Sequence, residues 1–150
     1  MLDKSILNFA LWVPLDSQNR VLLQRKDKGH LRWPDYWCTF GGEMEGEEIP
    51  LDTLIRELHE ETRLELNNPK KYASQTFEEG FGDKKRKVRA HYFGSRFDGN
   101  LSKIRLREGA GFSLFDEDLL DRYNHFGLIV PQNYVRIKAL YKFIEDKKIP

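Results

Sequence analysis

The sequence predicts an α/β domain, a mixed sheet packed between helices. Three observations predict it. Runs rich in strand formers dominate the chain, one helical pattern interrupts them near the middle, and a second closes the chain. No linker, repeat or low-complexity segment divides the 150 residues, so a single domain spanning 1–150 is expected.

The elements follow in order. "SILNFALWV", residues 5 to 13, carries the β-branched and aromatic residues of a strand. "PLDSQNR" supplies turn chemistry before "VLLQRKD" resumes as a second strand. Residues 28 to 36 read as a loop, and "WCTF" as a short strand running into Gly41 and Gly42. A polar loop, 43 to 49, precedes Pro50, which suits a first helical turn. A helix is expected from about Leu51 to Arg63, and "NNP" at 67 to 69 breaks the chain. Residues 71–79 and 86–97 form two strands around the hairpin "GFGDKK". The loop "REGAG" leads to the strand "GFSLF" and to a short helix from Asp116 with an acidic first turn. The last helix begins at Pro131.

Composition narrows the function. The formal net charge is +1, so no global field favours nucleic acid or an acidic membrane. The one cysteine, Cys38, forbids an internal disulfide and agrees with a reducing compartment. The N-terminal apolar run is too short for a membrane span and has no cleavage signal, so a cytoplasmic protein is expected. The basic run "DKKRKVR", 83 to 89, faces "FEEGF" across the predicted hairpin. A solvated turn accounts for it better than an RNA surface.

Acid is concentrated in "GGEMEGEEIPLDTLIRELHEET", residues 41 to 62, which holds seven glutamates and one Asp against one Arg and one His. At about 100° per residue, Glu57, Glu60 and Glu61 share one stripe. Leu51, Leu54, Ile55, Leu58 and Thr62 form a core face beside it, and Asp52, Arg56, His59 and Arg63 an outer one. A solvated helix interleaves Glu with Lys at i,i+4. Here Glu57 and Glu61 repel at that spacing by a few tenths of a kcal/mol. A hard divalent cation, Mg²⁺ or Mn²⁺, would offset the repulsion. The two glycines would let backbone approach a ligand and leave a carbonyl to coordinate it.

Gly42, Glu48, Arg56, Glu57, Leu58, Glu60, Glu61 and Leu64 fit the spacing of the Nudix box over 23 residues. The chain therefore resembles the Nudix hydrolase family. The resemblance implies the Nudix fold, an α/β/α sandwich around a mixed central β-sheet. It also implies metal-dependent hydrolysis of a nucleoside diphosphate linked to another moiety. Arg63 stands where the box has glycine, so the helix is expected to run on toward Asn67 or Asn68. Phe40 stands where many members have proline. Gly46-Glu47 lies one residue earlier than the family's Gly-Glu pair, but the count to Arg56 favours Glu48 over Glu47 as the box glutamate.

By the same resemblance, the ligands are Glu57 and Glu61, with Glu60 and the Gly41 carbonyl completing the cage. Mg²⁺ is the expected ion and Mn²⁺ the alternative. Arg56 would fix a carboxylate through its planar fork. Glu57, Glu60 and Glu108 are the candidate general bases. "LLQRK" and "VPQNY" resemble segments of the MutT-like branch. Arg25 would there meet a phosphate or ribose and Asn133 a purine edge. Trp33, Tyr36 and Trp37 either stack on a base or pack internally. The expected substrate is a (d)NTP or modified (d)NTP, cut to the monophosphate and pyrophosphate. Nucleotide sugars and dinucleoside polyphosphates are the alternatives, and a non-catalytic nucleotide sensor is a further one. The partner is thus a small-molecule nucleotide, not nucleic acid or membrane, and the chain a monomer or homodimer.

Overall fold

The computed structural model describes residues 5–81, 83–105 and 109–145, with the backbone course alone for Glu61 and Phe81. It shows the expected α/β/α sandwich around a seven-stranded mixed sheet. The centre is β1 (Ile6–Leu15), which lies parallel to β6 (Lys84–Arg96) from Ile6↔Lys87 to Leu15↔Arg96. β5 (Asn67–Phe81) hairpins antiparallel onto β6. On its other side β1 pairs with both β2 (Val21–Arg25) and β4 (Phe40–Glu43), at different levels. β2 in turn pairs with β3 (Trp37–Cys38) and β7 (Gly111–Phe115).

The period-2 alternation of β1 divides the core in two. Ala10 and Trp12 face α1 (Pro50–Glu61), together with Leu22, Phe40, Leu54 and Leu58. Val13 and Leu15 face α2 (Glu117–His125) and α3 (Pro131–Glu145), together with Leu120, Ile137 and Leu140. Trp12 is fully buried, and its indole N–H donates to Ser95 Oγ at 2.6 Å. Burying that polar edge is cheap only because it has a partner. Trp37 packs edge-on against Phe115 at 5.0 Å, so this tryptophan is core.

Several expectations change. The "NNP" segment does not break the chain but opens β5, with register shifts between Asn67/Lys70 and Lys71/Ala73 absorbing the irregularity. Gly41 and Gly42 lie inside β4 rather than after a strand. α1 does not run on toward Asn67: it ends at Glu61, and Arg63 takes φ 61°. An arginine thus holds the left-handed turn usually given to glycine, at a cost of about 1–2 kcal/mol. The turn is held because the N–H groups of Thr62 and Arg63 both reach the Leu58 carbonyl, at 2.9 and 3.0 Å. Thr62 Oγ1 also accepts from the Leu64 N–H at 3.1 Å. Ile55, placed on the core face by its angle, is 55% exposed, whereas Thr53 is fully buried. The buried arc of α1 is therefore rotated toward Glu57.

Candidate active site

The site is built where β4 passes beneath α1. Gly41 has φ +132°, and a Cβ there would lie 2.0 Å from the Ala10 carbonyl oxygen. Only glycine can occupy that position while β4 keeps its Leu11↔Gly41 register. A Cβ on Gly42 would lie 2.5 Å from both Cδ and Oε1 of Glu57. The Glu57 side chain thus occupies the space a residue-42 side chain would need, pressed onto bare backbone. Glu57 is set into the buried arc of the helix, with its side chain 17% exposed.

Arg56 organises the approach to this carboxylate. Its Nε and Nη2 bond both oxygens of Glu48 at 2.9 Å, its Nη1 bonds Glu57 Oε1 at 2.9 Å, and Nη2 also reaches the Glu43 carbonyl at 3.2 Å. The planar fork makes the Glu48 pair bidentate. Glu48, not the exposed Glu47, is the partner, as the residue count favours. Glu48 Oε1 further accepts from the Glu45 N–H at 2.8 Å and Thr53 Oγ1 at 3.1 Å, which explains why Thr53 is buried. The Arg56 hydrogen bond, helped by the Glu45 N–H, holds Glu48 down to a pKa of about 2. The Glu48 hydrogen bond, and then Glu57, raise the Arg56 pKa in turn, against the cost of burial. Both groups stay charged at any physiological pH.

The other predicted residues fall in different places. Glu60 is exposed on α1. The side chain of Glu61 and the whole of Glu108 lie outside the described residues. Among the described residues, no group of three or more His, Cys, Asp and Glu forms a metal-sized cluster. The donors that the structure does describe are hard oxygens, the Glu57 carboxylate against the diglycine backbone. That set and its cradle suit a hard divalent cation.

Glu57, Gly41 and Gly42 line one end of a cavity of about 610 Å³, the size of a small-molecule site. Asn133, buried at the N-terminus of α3, edges this cavity. Its Oδ1 accepts from the Thr39 N–H at 3.0 Å and its Nδ2 donates to Tyr92 Oη at 3.1 Å. Part of its amide is therefore already committed to joining α3 to the sheet. Arg25 is not among the cavity-lining residues, and its Nη2 pairs with Asp35 at 2.8 Å. Trp33 lines the cavity and meets Tyr36 edge-on at 5.0 Å.

Sequence reasoning missed the far wall of the cavity. Arg86, read as part of a solvated turn, lines it together with Arg32 and Glu79. Strand parity carried the signal: Phe77 and Glu79 share one face of β5, as Arg86, Val88 and Ala90 share one face of β6.

Fold and site together define a class, an α/β/α sandwich with one acidic, arginine-anchored helix laid on a diglycine strand. Comparison makes it particular: the chain belongs to the NUDIX domain family, whose profile matches residues 5–126. It is 37% identical over 67 residues to an 8-oxo-dGTP diphosphatase of Proteus vulgaris, covering 44% of this chain and 58% of that one. It is 48% identical over 50 residues to a dihydroneopterin triphosphate diphosphatase of Haemophilus influenzae, covering 33% of this chain and 28% of that one. The matches thus span less than two thirds of either relative. In structure it resembles a MutT protein from Methanosarcina mazei, with a TM-score of 0.71 at 18% identity over 95% of this chain and 99% of that one.

Proposed function

We propose that this chain is a divalent-metal-dependent pyrophosphohydrolase that cleaves a nucleoside diphosphate linked to another moiety, a (d)NTP or modified (d)NTP first among them. The observation that carries the reading is the seating of Glu57 on Gly42, at the mouth of a nucleotide-sized cavity, with Arg56 gripping one of its oxygens. The names of both curated relatives specify triphosphate substrates, which supports the preference.

The Gly41 carbonyl, Glu57, Glu60 and Glu61 are the groups that would hold Mg²⁺, or Mn²⁺ in its place. Bound there, the ion neutralises phosphate charge and lowers the pKa of water. The chain's own residues do the rest. Arg56 keeps Glu57 aimed, and its bidentate hold on Glu48 ties the loop before α1 to the helix. Glu57, Glu60 or Glu108 takes the proton from the attacking water, a role that requires reach to about 3 Å. Arg25 and Asn133 are assigned to phosphate or ribose and to the base. Asn133 Oδ1 accepts from both the Thr39 N–H and Thr39 Oγ1, at 3.0 and 3.4 Å, so what Asn133 can offer a base is the Nδ2 N–H that does not bond Tyr92. No helix among the described residues is long and apolar enough to cross a membrane. A cytoplasmic setting and a monomer or homodimer belong to this reading.

The test is a phosphate- and pyrophosphate-release screen over nucleoside triphosphates, nucleotide sugars and dinucleotides, with Mg²⁺ and with chelator. Turnover should require the metal and fall about 10²-fold or more in Glu57→Gln. Failure to turn over any of these, or turnover unchanged in the chelated protein, would overturn the reading.

A further inference from the structure

The end of the cavity remote from Glu57 has a chemistry of its own. Gly42 lies opposite Ala10, and Ala10 opposite His91. Arg86 lies opposite Glu79, five residues further along β6. At about 3.3 Å per residue the two backbone rows stand about 16 Å apart. At the far row, Arg32 Nη1 approaches Glu79 Oε2 at 2.7 Å and Arg86 Nη2 approaches the same oxygen at 3.2 Å. Two guanidiniums therefore meet at one carboxylate oxygen. Lys26 lines the same cavity and adds another positive charge.

His30, also in the wall, contributes no balancing group. Burial, and then Lys26 and Arg32, hold its pKa below the usual value, so it stays neutral. Its Nδ1 is used to accept the Arg32 and Trp33 N–H groups, at 3.3 and 3.0 Å, which fixes the loop that carries Arg32. Arg32 itself is only 15% exposed, and its Nε is buried with no hydrogen-bond partner. A buried charged donor without an acceptor is costly, and most such groups in folded proteins are satisfied. Three cationic side chains and an unused donor edge of Arg32 face one cavity, and together they specify a ligand.

We propose that Arg32, Arg86 and Lys26 form a second anion-binding subsite. It receives an anionic oxygen group, a phosphate monoester or a carboxylate, carried on the part of the substrate remote from the bond that is cut. Arg32 Nε–H donates to that group, and Glu79 holds the two guanidiniums in place while competing with it. The inference deepens the proposed function, because it makes the preferred substrate one with a second negative end. It does not depend on turnover.

The test reads the side-chain Nε–H resonances of the arginines in the full chain by NMR, without divalent metal. The Arg32 signal is assigned by its loss in Arg32→Lys. Inorganic phosphate and acetate are titrated separately. The expected result is a saturable shift of the Arg32 Nε–H with at least one anion. The Arg20 Nε–H, already bonded to Asp16 at 2.7 Å, should not follow it. Response to phosphate alone assigns a phosphate group, and response to acetate a carboxylate. Glu79→Gln removes the competing charge and should tighten binding about tenfold, equivalent to about 1.4 kcal/mol. Arg86→Gln, which leaves the Arg32–Glu79 pair in place, should weaken it. If Glu79 serves only to clasp the loop, Glu79→Gln would loosen binding instead, and the proposal falls. It also falls if neither anion shifts the Arg32 signal. Both outcomes are independent of whether the protein hydrolyses any nucleotide.

Discussion

Replacing Gly42 by alanine would separate the geometry of the site from the stability of the fold. The new Cβ would stand 2.5 Å from Glu57 Cδ and Oε1 and 2.9 Å from Cγ, whereas ordinary contact begins near 3.4 Å. The difference between 3.4 and 2.5 Å requires the carboxylate to retreat by about 0.9 Å. Its 2.9 Å bond from Arg56 Nη1 would be stretched or broken as it moves. The obstacle is the end of a flexible side chain, so the fold should tolerate the change within about 1 kcal/mol. Catalysis should not, because a displacement of about 1 Å costs on the order of 10²-fold, near 2.7 kcal/mol of barrier. The control is Gly41→Ala, whose Cβ would meet backbone, the Ala10 carbonyl oxygen, at 2.0 Å. That variant should lose about 3 kcal/mol or more of stability. Thermal melts and kcat/KM on the best substrate of the screen provide the readout. Near-wild-type activity in Gly42→Ala, or a melting loss as large as that of Gly41→Ala, would refute the reasoning.

Other consequences can be measured directly. The Glu48 pKa is depressed to about 2 from an ordinary 4.5, so its contribution to stability is present above about pH 4.5 and is lost as pH falls toward 2. Urea titrations across that window should show a shallower acid loss in Glu48→Gln than in wild type. Arg63→Gly should relieve the left-handed strain, raising stability by about 1 kcal/mol and Tm by about 2–4 °C. A fall in Tm would show that the arginine side chain itself supports the turn.

The sequence exposed those parts of the site set by local spacing, and concealed those set by tertiary contact. Gly41, Gly42, Glu48, Arg56 and Glu57 lie within 17 residues, and the counts between them carry the geometry. The competition between Glu47 and Glu48 could be weighed by counting, because Arg56 needs a partner one loop away. Arg63 was misjudged because local propensity forbids what two bonds to the Leu58 carbonyl enforce. Ile55 and Thr53 were misjudged for a related reason. A helical wheel gives relative angles, but the sheet beneath decides which arc is covered, and Glu48 draws Thr53 inward. Asn133 reads as a free amide in sequence, and its bonds to Thr39 and Tyr92 exist only once α3 has docked. Arg32 and Glu79 are 47 positions apart, and nothing local predicts that they meet.

The parallel pairing of β1 with β6 also constrains how the chain assembles. Ile6 must find Lys87, 81 positions later, and everything from β2 to the hairpin tip lies inside that closure. A ribosome has delivered the diglycine strand and the acidic helix long before β6 emerges, so β1 waits with one edge of unpaired backbone N–H and C=O groups open. Folding should therefore be slow for a domain of this size, and truncation before Arg96 should yield a sticky fragment rather than a half-built enzyme.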